Sequence, residues 1–347
     1  LSRLMVRVET VLNDNSTWSL QLPVQTGLTD AAVAGEGGWS GCHWIGGFKQ
    51  LRAEFKLPES IPLAAVDSAT VSIVGLGFHS LFLNGGGRVA GQSALMSPAW
   101  TAFDKRVHYS SYSLSATQLS RNNALGVRLG RGWWGKMYSG GIGGAASRML
   151  LLRVDILLSN GTFVTVLKSS PDSAAWQGYD GPLTSDDIYT GYVYDARLEE
   201  KGWSAPGFVS PKWSPALVIT AASEVPPPNG TIVSGTSQIP AEAVVQEWVP
   251  TRVVQESGPS HMKPQLHHLA WTSTSASSSY IFDAGQNVAG FASVRCNIPS
   301  GYSIRVRYAE TLDSSRGALN RASLRGAANE DVFISRGASG GGEYVPD

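Results

Sequence analysis

Strict alternation of apolar and polar positions is the strongest local pattern in the chain. In 303–312 (SIRVRYAETL) Ile304, Val306 and Tyr308 fall on one side, and Arg305 and Arg307 on the other. That is the period-two signature of a strand with one buried face. Residues 69–86 (ATVSIVGLGFHSLFLNGG) read as two β runs with a glycine-marked kink between them and an Asn-Gly turn at the end. Residues 147–170 (SRMLLLRVDILLSNGTFVTVLKSS) predict the clearest hairpin, two long runs flanking Ser159-Asn160-Gly161. Residues 123–135 (NALGVRLGRGWWG) predict a strand running into a Gly/Trp loop. Helical periodicity is nearly absent, and the best short candidate is 115–122 (SATQLSRN).

Punctuation along the chain divides it. Residues 1–38 read as the tail of a preceding β domain, and 39–48 (WSGCHWIGGF) as a Trp-rich lead-in. A first β domain is expected over 39–222. The stretch 223–235 (SEVPPPNGTIVSG) is a Pro-rich linker. A second β unit follows over 236–347. No internal repeat is visible.

Composition narrows the function classes. Acids and bases balance at 27 each, so no basic field is available for nucleic acid. Charged residues are 16% of the chain, below the usual quarter or so. The 39 glycines, 18 prolines and 11 tryptophans suit an all-β protein rich in turns and aromatic surfaces. The most apolar stretch, 148–158, is interrupted by Arg153 and Asp155, and no run approaches the ~18 residues of a membrane-spanning helix. Asn15, Asn160 and Asn229 head N-glycosylation sequons, which favours a secreted or extracellular protein. Cys42 and Cys296 leave two readings open, one bridge or two buried thiols.

Few patterns carry chemistry. Gly75-x-Gly77 follows a strand, but Ser80 holds the third position and a strand rather than a helix follows, so a dinucleotide fingerprint is rejected. His261, His267 and His268 read as surface histidines, because neighbours on a strand point to opposite sides. Glu199-Glu200 and Glu330-Asp331 read as solvated acids. Asp186 and Asp187 stand in a loop crowded with aromatic residues, and calcium is the one cofactor these carboxylates leave open. Trp133 and Trp134 either plug the end of a β-sandwich or stack on a sugar ring.

The order of several motifs then becomes informative. LFLNGG, LMSPAWTAFDKRVHYSSYSL (95–114), NALGVRLGRGWW and GYVYDARLEEKGW (191–203) follow one another as in the N-terminal β domain of bacterial-type α-L-rhamnosidases, glycoside hydrolase family 78, which the chain resembles. WSGCHWIGG is similar to that family's lead-in. YIFDAGQNVAGFASVRCNIPSGYSIRVRYAETLD (280–313) resembles its second β domain.

The resemblance implies two successive β-sandwich domains, jelly-roll and concanavalin-like. It places catalysis in an (α/α)6 barrel that this chain does not contain, so no catalytic residue is carried over. The final GEYVPD (342–347) is expected to stop before the family's last strand, making the chain one piece of a longer polypeptide. The family also implies that Asp195, Arg197 and Trp203 form a structural joint. Trp133, Trp134, Asp187 and Tyr192 are the residues a carbohydrate-binding role would use, with Asp186 and Asp187 the candidate calcium ligands. Two departures weigh against calcium: Tyr192 replaces the family's usual Glu, and Arg131 a usual Asp or Asn. The expected function is an accessory β region of a secreted α-L-rhamnosidase-like hydrolase. Its partners would be rhamnose-containing glycans and the rest of its own polypeptide, or another chain completing the last sandwich. The competing class is a non-catalytic carbohydrate-binding or structural glycoprotein built from the same domains.

Overall fold

In the computed structural model, residues 3–6, 9–12, 15–18, 22–25, 39, 41–89, 109–135, 148–170, 176–219, 294–313, 318–337 and 342–344 are described. The histidines at 261, 267 and 268, the sequon at Asn229 and the Pro-rich linker lie outside them.

The strands run in chain order. They begin with β1 (Arg3–Val6), β2 (Glu9–Leu12), β3 (Asn15–Trp18), β4 (Leu22–Gln25), β5 (Ile45–Gly46) and β6 (Gln50–Lys56). Next come β7 (Val66–Leu76), β8 (Phe78–Leu83), β9 (Ser110–Ser115), β10 (Asn122–Gly130), β11 (Met149–Leu158) and β12 (Phe163–Lys168). Then follow β13 (Gln177–Tyr179), β14 (Leu183–Asp187), β15 (Gly191–Asp195), β16 (Ser214–Pro215) and β17 (Leu217–Val218). The last are β18 (Val294–Cys296), β19 (Ser303–Arg307), β20 (Thr311–Asp313), β21 (Ala318–Asn320), β22 (Glu330–Ile334) and β23 (Gly342–Tyr344). Among the described residues, helix is confined to single turns.

Two compact units emerge: Leu1–Asp180 with Glu200–Gln255, and Gly181–Glu199 with Glu256–Asp347. The first holds a five-stranded sheet ordered β16-β13-β6-β10-β8 and a six-stranded one ordered β17-β5-β11-β7-β9, with β12 added to β11. Their facing side chains form one core. Leu51, Phe55, Leu81, Leu125 and Val127 come from the first sheet, and Val71, Ile73, Leu114, Leu152 and Val154 from the second.

The β11 run MLLLRVDILL is buried along both faces, with Arg153 and Asp155 the two charges on the outer one. Leu150, Leu152, Val154 and Ile156 enter the main core. Met149 and Leu151 join Trp44, Val74, Leu76, Trp134 and Ile219 in a second cluster on the outer face. The kink read between the two β runs of 69–86 is Gly77, at φ +95°. A Cβ there would lie 2.2 Å from the Gly130 carbonyl oxygen. Asn84 and Gly85, both at positive φ, make the turn after β8. The helix expected over 115–122 is instead a single 3-10 turn, Ala116–Gln118. Ser115 and Gln118 close a capping box around it, and Asn123 accepts from the Ser120 N–H, turning the chain at once into β10.

The second unit is built on a sheet ordered β14-β15-β22-β19. Expected to lie in one domain over 39–222, residues 181–199 group with this later unit because β15 pairs in parallel with β22, Val193 opposite Val332 and Tyr194 opposite Phe333. The close approach depends on Gly191 (φ +84°), where a Cβ would stand 2.1 Å from the Glu330 carbonyl oxygen. The 303–312 alternation appears as β19, whose Arg305 and Arg307 share a face with Glu330 across the β19–β22 register.

Candidate functional site

Two constellations concentrate the polar and aromatic residues, one in each unit. In the first unit, Arg52, Arg128, Phe82, Gln177 and Tyr179 stand on the outer face of the five-stranded sheet, because Leu51, Ala53, Leu81, Leu125 and Val127 alternate into the core. The segment 200–213 lies over that face. Trp203 stacks on Trp213 with ring centroids 5.7 Å apart, and Phe82 meets Trp203 edge-on at 5.3 Å. Trp213 also touches Tyr179 and Phe208.

Arg52 ties this cover to the sheet. It is buried, donates from Nε to the Trp203 carbonyl (2.8 Å) and from one terminal nitrogen to both the Ala205 carbonyl (3.0 Å) and Glu54 (2.6 Å), and lies 5.4 Å over Phe208. Glu200 binds Lys212 at 2.5 Å, and that hydrogen bond holds its carboxyl below the usual range.

Gly126 makes room for the Trp203 ring, since a Cβ there would lie 2.6 Å from it. Gly126→Ala should therefore destabilise the first unit by about 1–3 kcal/mol, the range for overpacking a filled site. Urea unfolding of the purified chain, followed by tryptophan fluorescence, measures it. A loss below ~0.5 kcal/mol, typical of unconstrained surface positions, would mean that the ring slides aside freely.

In the second unit, Asp187 closes the β14–β15 turn. Its Oδ1 accepts the N–H groups of Tyr189 (2.8 Å) and Thr190 (3.2 Å). Tyr192 and Tyr194 pack against the Phe333–Ala196 cluster. Asp195 receives Arg197 through Nε (2.8 Å) and a terminal nitrogen (2.7 Å), and also accepts the Arg197 N–H (3.1 Å). These bonds hold the Asp195 carboxyl below its ordinary range, Arg197's hydrogen bond being the largest cause. Glu199 is held by the Tyr194 hydroxyl and by Arg336.

The four residues named for carbohydrate binding are divided between the units. Trp134 is 3% exposed inside the outer cluster and Trp133 packs beside it, so Trp134 could stack on a sugar only if that cluster opened. Asp187 and Tyr192 belong to the second unit. The joint residues divide likewise, Trp203 in the first unit and the Asp195–Arg197 pair in the second. One Asp187 oxygen is committed to the turn. Among the described residues no group of three or more His, Cys, Asp or Glu side chains could hold a metal, so Asp186 and Asp187 gather no carboxylate set for calcium.

Both cysteines are free thiols. Cys42 donates to the Leu152 carbonyl, and burial pushes it up to about 11. Of the sequons, Asn160 is exposed at a hairpin tip, and Asn15 opens β3.

The acid pairs read as solvated are instead engaged. Besides Glu199 and Glu200, Glu330 binds Arg305 (3.0 Å) and Arg307 (2.6 Å). Asp331 accepts from Tyr308 (2.9 Å), and burial raises its carboxyl. Arg52 and Gly126 escaped notice in the sequence. The available signals were an arginine flanked by apolar residues in QLRAEFK and a glycine inside a strand.

Comparisons with known proteins find two β domains in this order, the first match running through 181–199, the segment that groups here with the second unit. The model of the α-L-rhamnosidase N-terminal domain matches residues 64–238, and that of the bacterial α-L-rhamnosidase concanavalin-like domain matches 273–347. An α-L-rhamnosidase from Streptomyces avermitilis is 31% identical over 314 residues, covering 88% of this chain and 26% of that relative. The crystal structure of native α-L-rhamnosidase from Aspergillus terreus superposes with a TM-score of 0.71 at 26% identity, over 99% of this chain and 36% of that one. The Streptomyces avermitilis enzyme in complex with L-rhamnose gives 0.61 at 28% identity, over 87% and 26%. The chain thus spans between a quarter and two fifths of the length of these relatives. With one family model covering half of it and the second following in the same order, the chain belongs to the bacterial α-L-rhamnosidase family, of which it carries the N-terminal and concanavalin-like β domains.

Proposed function

We propose that this chain is the accessory β region of a secreted α-L-rhamnosidase-like glycoside hydrolase, supporting a catalytic (α/α)6 barrel carried elsewhere in its polypeptide and helping to bind rhamnosylated glycans. The observation that carries this reading is the consecutive match of two rhamnosidase domain models within a chain that spans only 26% of a full relative.

The chemistry of its carboxylates fits an accessory role. Glycoside hydrolysis needs two carboxyl groups about 5–9.5 Å apart across the scissile bond, one of them kept protonated. Glu199, Glu200 and Glu330 are each tied to a cation. Glu330 and Asp331 are consecutive on β22 and so face opposite sides of the sheet. The contribution of such a region to turnover is effective concentration: a second contact with the glycan holds it near a separate reaction centre.

Denaturing electrophoresis and intact mass of the native material, together with an assay of L-rhamnose release, test the proposal. The expected result is a polypeptide far heavier than 36.8 kDa after glycan removal, releasing L-rhamnose. A lone species near 36.8 kDa that releases none would overturn it and favour the free-standing binding glycoprotein.

A further inference from the structure

The tip of the β11–β12 hairpin carries the sequon Asn160-Gly161-Thr162. Asn160, Gly161 and Thr162 are all exposed, and a Cβ built at Gly161 would meet nothing within 4 Å. The tip is nevertheless held in one shape. Leu158 donates to the Thr162 carbonyl (2.9 Å), Gly161 to the Leu158 carbonyl (2.8 Å), and Ser159 to the Ala65 carbonyl (2.9 Å). Its base is β11, which runs through the sandwich core.

Within that tip the Asn160 side chain is oriented. Its Oδ1 accepts the Thr162 N–H at 3.0 Å, an Asx turn within the sequon itself. A planar amide with its oxygen turned to the backbone presents its nitrogen away from it. Three of these four bonds span five residues or fewer, so the turn can form on a short stretch of new chain, and the fourth, to Ala65, holds it once the sandwich has folded.

We infer that Asn160 is an N-glycan acceptor, taking an oligosaccharide from a lipid-diphosphate-linked donor. Nδ2 attacks the donor sugar's C1. A C1–N bond replaces the C1–O bond to phosphate, the lipid diphosphate leaves, and Nδ2 gives up one proton to a base of the transferase. Asn15 lies at the start of β3, paired with Leu12, and Asn229 lies outside the described residues. Asn160 is thus the sequon for which the acceptor geometry is in view. The inference rests on the proposed secretion of the protein.

The test expresses the full chain behind a cleavable secretion signal in a eukaryotic host and maps peptides after N-glycosidase, which leaves Asp at each position that carried a glycan. The expected result is conversion at 160. Asn160→Gln and Thr162→Ala should each abolish that conversion and remove one step of the electrophoretic mobility shift, and Thr162→Ser should retain both. Thr162→Ala preserves the Asn160 side chain and the backbone N–H it binds, so loss there reports the hydroxyl rather than a broken turn. Secreted wild-type chain with unmodified Asn160 would overturn the inference. Native material that stays inside its cells without glycan, while the signal-bearing chain is converted at 160, would sink the secretion reading and uphold the acceptor.

Discussion

Arg153→Ala should cost the first unit about 3–5 kcal/mol, the penalty for leaving a buried charge without its partner. Arg153 and Asp155 face the same side of β11, with side chains 9% and 1% exposed. Arg153 reaches Asp155 through Nε (2.8 Å) and a terminal nitrogen (2.5 Å), and that nitrogen also donates to Thr165 on β12 (2.8 Å). Thr165 in turn donates to Asp155 (2.6 Å). Removing the guanidinium leaves the buried carboxylate with the Thr165 hydroxyl as its remaining hydrogen-bond donor. Replacing both residues by leucine removes the charge with its partner, and the loss should then be far smaller, since apolar substitutes of similar volume often match a buried pair. Urea unfolding of the two variants against wild type at neutral pH makes the comparison. A single variant no less stable than the double would mean that Asp155 does not depend on Arg153.

That pair also shows what the sequence could and could not reveal. Arg153 and Asp155 are visible as charges breaking an apolar run, enough to exclude a membrane span. Their two-residue spacing on a strand already puts them on one face. Nothing local tells that the face is covered, because the residues that cover its far end, Trp44, Trp134 and Ile219, come from three distant segments. The Gly77 kink and the Asn160 hairpin were legible because turn chemistry is written in adjacent residues. The allegiance of 181–199 was not, since it rests on a parallel pairing between Val193 and Val332, far apart in sequence. Glu199 looked like a solvated acid for the same reason, its cation being Arg336. The family was legible through the order of its motifs. The aromatic cover of the first unit was hidden in single positions: Arg52 lies in no motif, and Gly126, though inside NALGVRLGRGWW, carries no local sign of the ring it admits.

Acid should weaken the first unit through one histidine. His79 on β8 and Tyr112 on β9 belong to opposite sheets of the sandwich, and their side chains meet with His79 Nε2 3.0 Å from the Tyr112 hydroxyl. Burial lowers the imidazole from 6.5 to about 4. Nδ1 has no hydrogen-bond partner, so a proton placed there would leave an N–H group buried and unsatisfied. The unfolded chain, whose histidine titrates near 6.5, binds the proton more readily than the folded one between pH 6.5 and 4. Stability is therefore complete above pH 6.5, falls as pH drops through that window, and levels off below pH 4. The two values differ by about 2.5 units, so the loss from this group should reach roughly 3 kcal/mol by pH 4. His79→Phe keeps the ring and deletes the titration. Urea unfolding at pH 7.5 and 4.5 should show wild type losing about 2–3 kcal/mol more than the variant over that interval. Equal losses would mean that the folded protein admits the proton between its sheets, and that the acid sensitivity of the sandwich lies in its carboxylates instead.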